Sequence, residues 1–171
     1  MESGSPKPEF GPGNGPTTYN LLFVCSGNTC RSPLARAIME ALLRERGWAH
    51  VRVESAGLAA VRGAPAADHA ITVAAAEGLD LSSHGSQPVT PELNDWADLI
   101  LVMTPGQLEA VVELGGAGKV ALFTDFIEGP GAGEPVVDPF GGDLDTYRET
   151  WAQLRTAGRG LIARLEPILS P

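Results

Sequence analysis

Apolar positions along this chain fall into two alternating patterns. Residues 19–25 form a near-continuous apolar run ending at Cys25, as expected of a strand buried on both faces of a parallel sheet. Leu34, Ala37, Ile38, Ala41 and Leu42 then recur at helical spacing, with Pro33 suited to the first helical position and Ser32 to the N-cap. Gly47 marks the stop. Val51 to Val53 predict a short second strand running out in Ser55-Ala56-Gly57. Residues 65–77 read as an Ala-rich helix closed by Gly78, residues 98–103 as a buried strand, and 119–123 as another. A helix over 105–114 separates those last two strands. Residues 129–139 make a long flexible loop rich in Gly and Pro. Tyr147, Trp151, Leu154, Leu161 and Leu165 then line one face of a terminal helix, which Gly158 and Gly160 are expected to weaken.

Strands alternating with helices predict an α/β fold: a single-domain, doubly wound, four-stranded parallel sheet with helices on both faces. In such sheets the site lies beyond the carboxyl ends of the strands, where Cys25 falls. The folded domain is expected over residues 19–168. Residues 1–18, rich in Gly, Pro and Ser, read as a disordered extension.

With 171 residues, the chain has room for one domain and a sizeable core. A net charge of −9 argues against nucleic acid or an anionic membrane as partner. Two cysteines, Cys25 and Cys30, are too few for a secreted disulfide scaffold. His50, His69 and His84 stand at no ligand spacing and are expected at the surface or at helix ends, so no metal and no other cofactor is expected. His84-Gly85-Ser86-Gln87 is read as bordering the site, and Trp48, Trp96 and Trp151 as packing residues. Gly115 to Lys119 fails the nucleotide P-loop frame, because Glu113 and Val120 occupy its outer positions. No leader or spanning segment is read, and a cytoplasmic monomer is the expectation.

The chemistry concentrates in residues 21–33, Leu-Leu-Phe-Val-Cys-Ser-Gly-Asn-Thr-Cys-Arg-Ser-Pro. Strand, tight loop and helix N-terminus in that order make an anion site from backbone N–H groups. A cysteine in that field is favoured as thiolate, and Arg31 adds a planar fork that fits phosphate. Asn28, beside Gly27, suits the left-handed backbone of a tight loop. Ser32 lies near enough to hydrogen-bond the thiolate. Far along the chain, Asp138, stiffened by Pro139, is the candidate to protonate the leaving group and later activate water. A phosphatase with a phosphocysteine intermediate follows.

The run Val24 to Pro33, together with Ser55-Ala56-Gly57, Ala97 to Thr104 and Asp138-Pro139-Phe140, resembles the low-molecular-weight protein tyrosine phosphatase family. The resemblance implies Cys25 as nucleophile, Arg31 as phosphate clamp and Asp138 as general acid. Ser26, Gly27, Asn28, Thr29, Cys30, Ser32 and Phe140 would then line the phosphate and substrate site. Within that family, Thr29 and Phe140-Gly141-Gly142 are similar to the bacterial protein-arginine phosphatases, whereas members acting on tyrosine carry a larger aliphatic residue and further aromatics. An aliphatic wall suits a phenyl ring but leaves guanidinium N–H groups unpaired; a threonine hydroxyl can accept from them. Phosphorylated proteins are the implied partners.

Cys30 has two readings, as filler beneath the loop or as redox partner that traps an oxidised Cys25. Tyrosine phosphatase activity is the first rival function. Thiol-linked arsenate reduction is another, but it needs further cysteines and none follows Cys30. A phospho-residue binding module without turnover would have lost Cys25 or Asp138, and both are present.

Overall fold

A computed structural model describes residues 18–169. All of the 1–18 extension except Thr18 therefore lies outside the described residues. Four strands, β1 (Tyr19–Cys25), β2 (Val51–Gly57), β3 (Leu99–Val102) and β4 (Val120–Leu122), form one sheet in the order β2-β1-β3-β4. Every pairing is parallel, with Cys25 opposite Gly57 and Val24 opposite Val102. Five helices connect and cover it: α1 (Arg31–Arg46), α2 (Asp68–Ala76), α3 (Pro91–Trp96), α4 (Pro105–Val111) and α5 (Leu144–Leu169).

Alternation along the central strands builds two cores, because successive side chains point to opposite faces. Leu21, Phe23 and Cys25 of β1 and Leu101 of β3 meet α1, α2 and α5 on one face. Leu22, Val24, Ile100 and Val102 meet α3 and α4 on the other. Phe23 packs edge-on against Phe123 with ring centroids 4.8 Å apart. Both rings are fully buried, each worth roughly 1.5–3 kcal/mol relative to exposure.

Several boundaries differ from the sequence expectation, each for a physical reason. Helix α1 starts at Arg31 with Cys30 at its N-cap and no side-chain cap; the Ser32 hydroxyl is turned toward Cys25 instead. Its C-terminus is as expected, Gly47 adopting φ 71° and donating to the last carbonyls. Helix α2 begins only at Asp68, since Ala67 is extended and its N–H bonds to the Thr29 carbonyl. The 105–114 helix ends at Val111 and opens into a wide turn, Val112–Gly116, where Gly115 takes φ 100°. Helix α3 has no counterpart in the sequence reading, although Thr90 caps it by accepting from Leu93 N–H and Pro91 opens it.

Of the two places expected for His50, surface or helix end, it takes the second: it is buried, with Nε2 2.7 Å from the carbonyl oxygen of Leu169, where α5 ends. Gly158 and Gly160 are close-approach points rather than weak spots in α5. A methyl group on Gly158 would meet Met39 and Leu42 of α1 at 3.2 Å, and one on Gly160 would overlap the Phe126 carbonyl oxygen at 1.8 Å. Trp48 and Trp151 are buried and Trp96 packs against the second core, all three as expected. Among the described residues, no helix is long and apolar enough to cross a membrane, and no group of three or more His, Cys, Asp or Glu could hold a metal ion.

Candidate active site

Strand β1 ends at Cys25, and the next five residues turn back into α1. What shapes this turn is where its carbonyl groups go. Those of Cys25 and Ser26 accept from the N–H groups of Leu58 and Ala59, that of Thr29 from Ala67 and that of Cys30 from Leu34. The Asn28 carbonyl accepts from His84 Nε2 at 2.7 Å. With those oxygens engaged, the N–H of Asn28 turns toward Cys25 and reaches its Sγ at 3.3 Å. That is the geometry of an anion cradle.

Asn28 holds the turn in shape. It takes φ 59°, the sole non-glycine with positive φ among the described residues, a conformation Asn tolerates best. Fully buried, its amide donates to Ser32 Oγ at 2.8 Å and Ser55 Oγ at 3.0 Å, and its carbonyl accepts from Gln87 N–H at 2.9 Å. Gly57 lets the loop lie close to β2, because a methyl group there would stand 2.6 Å from the Ser26 carbonyl oxygen. Ser32 Oγ, so fixed, lies 3.0 Å from Cys25 Sγ.

The distant loop does not behave as a free segment. Val136 N–H bonds to the Met103 carbonyl at the end of β3, while Thr150 and Gln153 of α5 hold the carbonyls of Val137 and Pro135. Asp138 is thereby brought to the cradle. Its Oδ2 pairs with Arg31 Nη2 at 3.5 Å, and Arg31 Nη1 donates to the Val136 carbonyl at 3.3 Å. Arg31 is buried, whereas the Asp138 side chain is 56 % exposed. Asp138 Oδ1 accepts from Phe140 N–H at 3.1 Å, and Phe140 stands 75 % exposed at the rim. Cradle, guanidinium fork and carboxylate therefore converge from three separate segments.

The family model for low molecular weight phosphotyrosine protein phosphatase matches residues 20–168. The chain belongs to that family. A protein-arginine-phosphatase of Geobacillus stearothermophilus is 37% identical to it over 150 residues, covering 86% of this chain and 97% of the relative. The low molecular weight protein-tyrosine-phosphatase PtpB of Staphylococcus haemolyticus is 34% identical over 135 residues, covering 78% and 91%. Among solved structures, a YwlE mutant from Bacillus subtilis superposes with a TM-score of 0.81 at 34% identity, covering 87% of this chain and 99% of that one. The four-stranded parallel fold expected from sequence is thus also that of this phosphatase family's solved structures.

Beneath the phosphatase loop, Cys30 is buried, its Sγ 3.4 Å from the Tyr147 hydroxyl and 3.8 Å from Thr29 Oγ1. Burial pushes its thiol up from the ordinary range, and the two hydroxyl hydrogen bonds pull the other way. Tyr147, its ring edge-on to His69, is likewise pushed up by burial and by Cys30. His84 and Gln87 border the site as expected. Ser55, Gln107 and Tyr147 were not assigned roles from the sequence. For Gln107 a signal existed: Thr104-Pro105-Gly106-Gln107 has the spacing of a capping box, and Thr104 Oγ1 does accept from Gln107 N–H.

Proposed function

We propose that this phosphatase removes phosphate from phosphoarginine in proteins, with Cys25 as nucleophile, Arg31 as phosphate clamp and Asp138 as general acid and base. The convergence of Cys25, Ser32, Arg31 and Asp138 carries the reading. Phosphate bound in the cradle takes the Arg31 fork and leaves Asp138 facing the departing group. The Cys25 sulfur attacks phosphorus, the P–N bond breaks, and the Asp138 proton passes to the guanidino nitrogen. In the second half, Asp138 takes a proton from water as the water oxygen attacks phosphorus. The S–P bond breaks, and the Ser32 hydroxyl, 3.0 Å away, donates to the sulfur as it leaves. Loop N–H groups and Arg31 stabilise the equatorial oxygens throughout. A YwlE arginine phosphatase structure with a phosphorylated active-site serine supports a covalent intermediate in a relative 34% identical to this chain.

Substrate choice rests on Thr29 and on likeness to two protein-arginine-phosphatases, from Geobacillus stearothermophilus and Bacillus subtilis. Thr29 is half-buried on the loop and offers a hydroxyl where an aliphatic side chain would leave guanidinium N–H groups without acceptors. The remaining loop residues, Ser26, Gly27, Asn28 and Cys30, complete the cradle in this reading, and Phe140 flanks the bound side chain. Action as a monomer on phosphorylated proteins of the cytoplasm belongs to the same proposal.

The test is kcat/KM on phosphoarginine and phosphotyrosine peptides of matched sequence, with Cys25→Ser as blank. Preference for phosphoarginine, eroded about tenfold or more by Thr29→Ile, is the expected result. Preference for phosphotyrosine would sink the arginine assignment and leave the mechanism. No turnover dependent on Cys25 would mean a binding module.

A further inference from the structure

Gln107 links the start of α4 to the phosphate loop. Its Oε1 accepts from the Met103 N–H at 2.9 Å, and its Nε2 lies 3.2 Å from Ser26 Oγ. A backbone N–H can only donate, so it fixes which end of the Gln107 amide is oxygen. The other end is then NH2, and Ser26 Oγ must be the acceptor. Gln107 is buried, held on two sides and ready to orient its neighbour, while Ser26 is exposed at the mouth of the loop.

A hydroxyl oxygen that accepts one hydrogen bond keeps a lone pair and a proton free. Ser26 is separated from Thr29 by the turn itself, and a methyl group on Gly27 would lie 3.7 Å from Thr29 Oγ1. Ser26 and Thr29 thus bracket Gly27 and Asn28 in the loop, and Gly27 leaves bare backbone beside the Thr29 hydroxyl. A phenyl ring entering there would cover both oxygens without giving them a donor. A phosphorylated guanidinium carries N–H groups right beside phosphorus and can satisfy both.

We propose that Ser26 is a specificity-determining residue whose hydroxyl accepts a guanidinium N–H of phosphoarginine, and that Gln107 is the positioning residue that aims it. The inference rests on the phosphoarginine reading and adds a second acceptor to the one Thr29 offers. Gln107 acts only through Ser26, so its effect belongs in substrate selection rather than in the chemical step.

The experiment is steady-state kinetics of the full chain on matched phosphoarginine and phosphotyrosine peptides, for the wild type, Ser26→Ala, Ser26→Thr and Gln107→Met. Ser26→Ala is expected to lower the ratio of the two kcat/KM values by roughly tenfold, mainly through KM on phosphoarginine. Ser26→Thr restores the hydroxyl and is expected to recover most of that ratio. Gln107→Met lowers it several-fold in the same direction.

If Ser26→Ala slows both substrates by one common factor while the wild type still prefers phosphoarginine, the inference falls and the phosphoarginine reading stands. If only the Gln107→Met ratio stays at the wild-type value, the positioning role is overturned. A wild type that prefers phosphotyrosine overturns the reading itself. Should Gln107→Met not fold, the Ser26→Ala and Ser26→Thr pair still decides.

Discussion

At the scale of single residues, Cys30 and Tyr147 form the pair whose chemistry the proposed reaction leaves unused. A peroxide converts the Cys25 sulfur to a sulfenic acid, releasing water; the Cys30 sulfur can then attack it, forming the S–S bond and expelling a second water. Cys30 must lose its proton for this, and burial opposes that loss while the Tyr147 hydroxyl favours it. The sign follows. Trapping should accelerate as pH rises past the ordinary thiol range, and Tyr147→Phe should shift that rise to still higher pH. Activity recovered by dithiothreitol after peroxide treatment, measured against pH, checks both. Equal recovery in Cys30→Ala would remove Cys30 from the process altogether. The cradle itself was legible in the sequence because Cys25, Asn28, Arg31 and Ser32 lie within one turn. Of their supports only the stretch His84 to Gln87 was read as bordering the site; Ser55, Gln107 and Tyr147 were not, since they contact loop residues from 27, 81 and 117 positions away. Pairings across such separations leave no local spacing to read.

At the scale of elements, strands were easier to read than helix ends. A strand buried on both faces announces itself by composition, and β1 is found where the apolar run places it. Helix ends depend on which polar group is available, and here the obvious one is engaged elsewhere: Ser32 has the right type for an N-cap, yet its hydroxyl faces Cys25. Gly158 and Gly160 mislead for a related reason. Intrinsic propensity disfavours glycine in a helix by about 1 kcal/mol relative to alanine, but tertiary contact reverses the sign here. Helix α5 passes so near the turn at Phe123–Phe126 that a methyl group on Gly160 would overlap a carbonyl oxygen. Gly160→Ala should therefore destabilise the protein by about 1–3 kcal/mol, read as a lower midpoint of urea unfolding. An unchanged or raised midpoint would show that the helix can move aside. Loss of kcat beyond the loss of stability is not expected from this variant, because Thr150 and Gln153, which hold the Asp138 loop, stand at least one helical turn earlier.

At the scale of the whole molecule, a chain of net charge −9 presents a positive pocket on an acidic body. In the proposed reaction Arg31 and the loop N–H groups attract the phosphate, while Asp138, Asp143 and Asp145 stand exposed where the Asp-Pro loop runs into α5. A phosphoarginine peptide with flanking lysines satisfies both fields at once, whereas acidic flanks oppose the outer one. Exposed charges act over about 10 Å at roughly 0.1 M salt and over about 3 Å at 1 M, so raising salt should erase the difference. The expectation is that kcat/KM for a lysine-flanked peptide exceeds that for its glutamate-flanked counterpart by several-fold at low ionic strength, and that the two converge as NaCl is added. Chloride competing for the cradle would lower both rates alike, which is why the ratio is the deciding quantity. A ratio that stays constant across the salt series would mean that recognition ends at the phosphorylated side chain and that the acidic surface does not steer substrates.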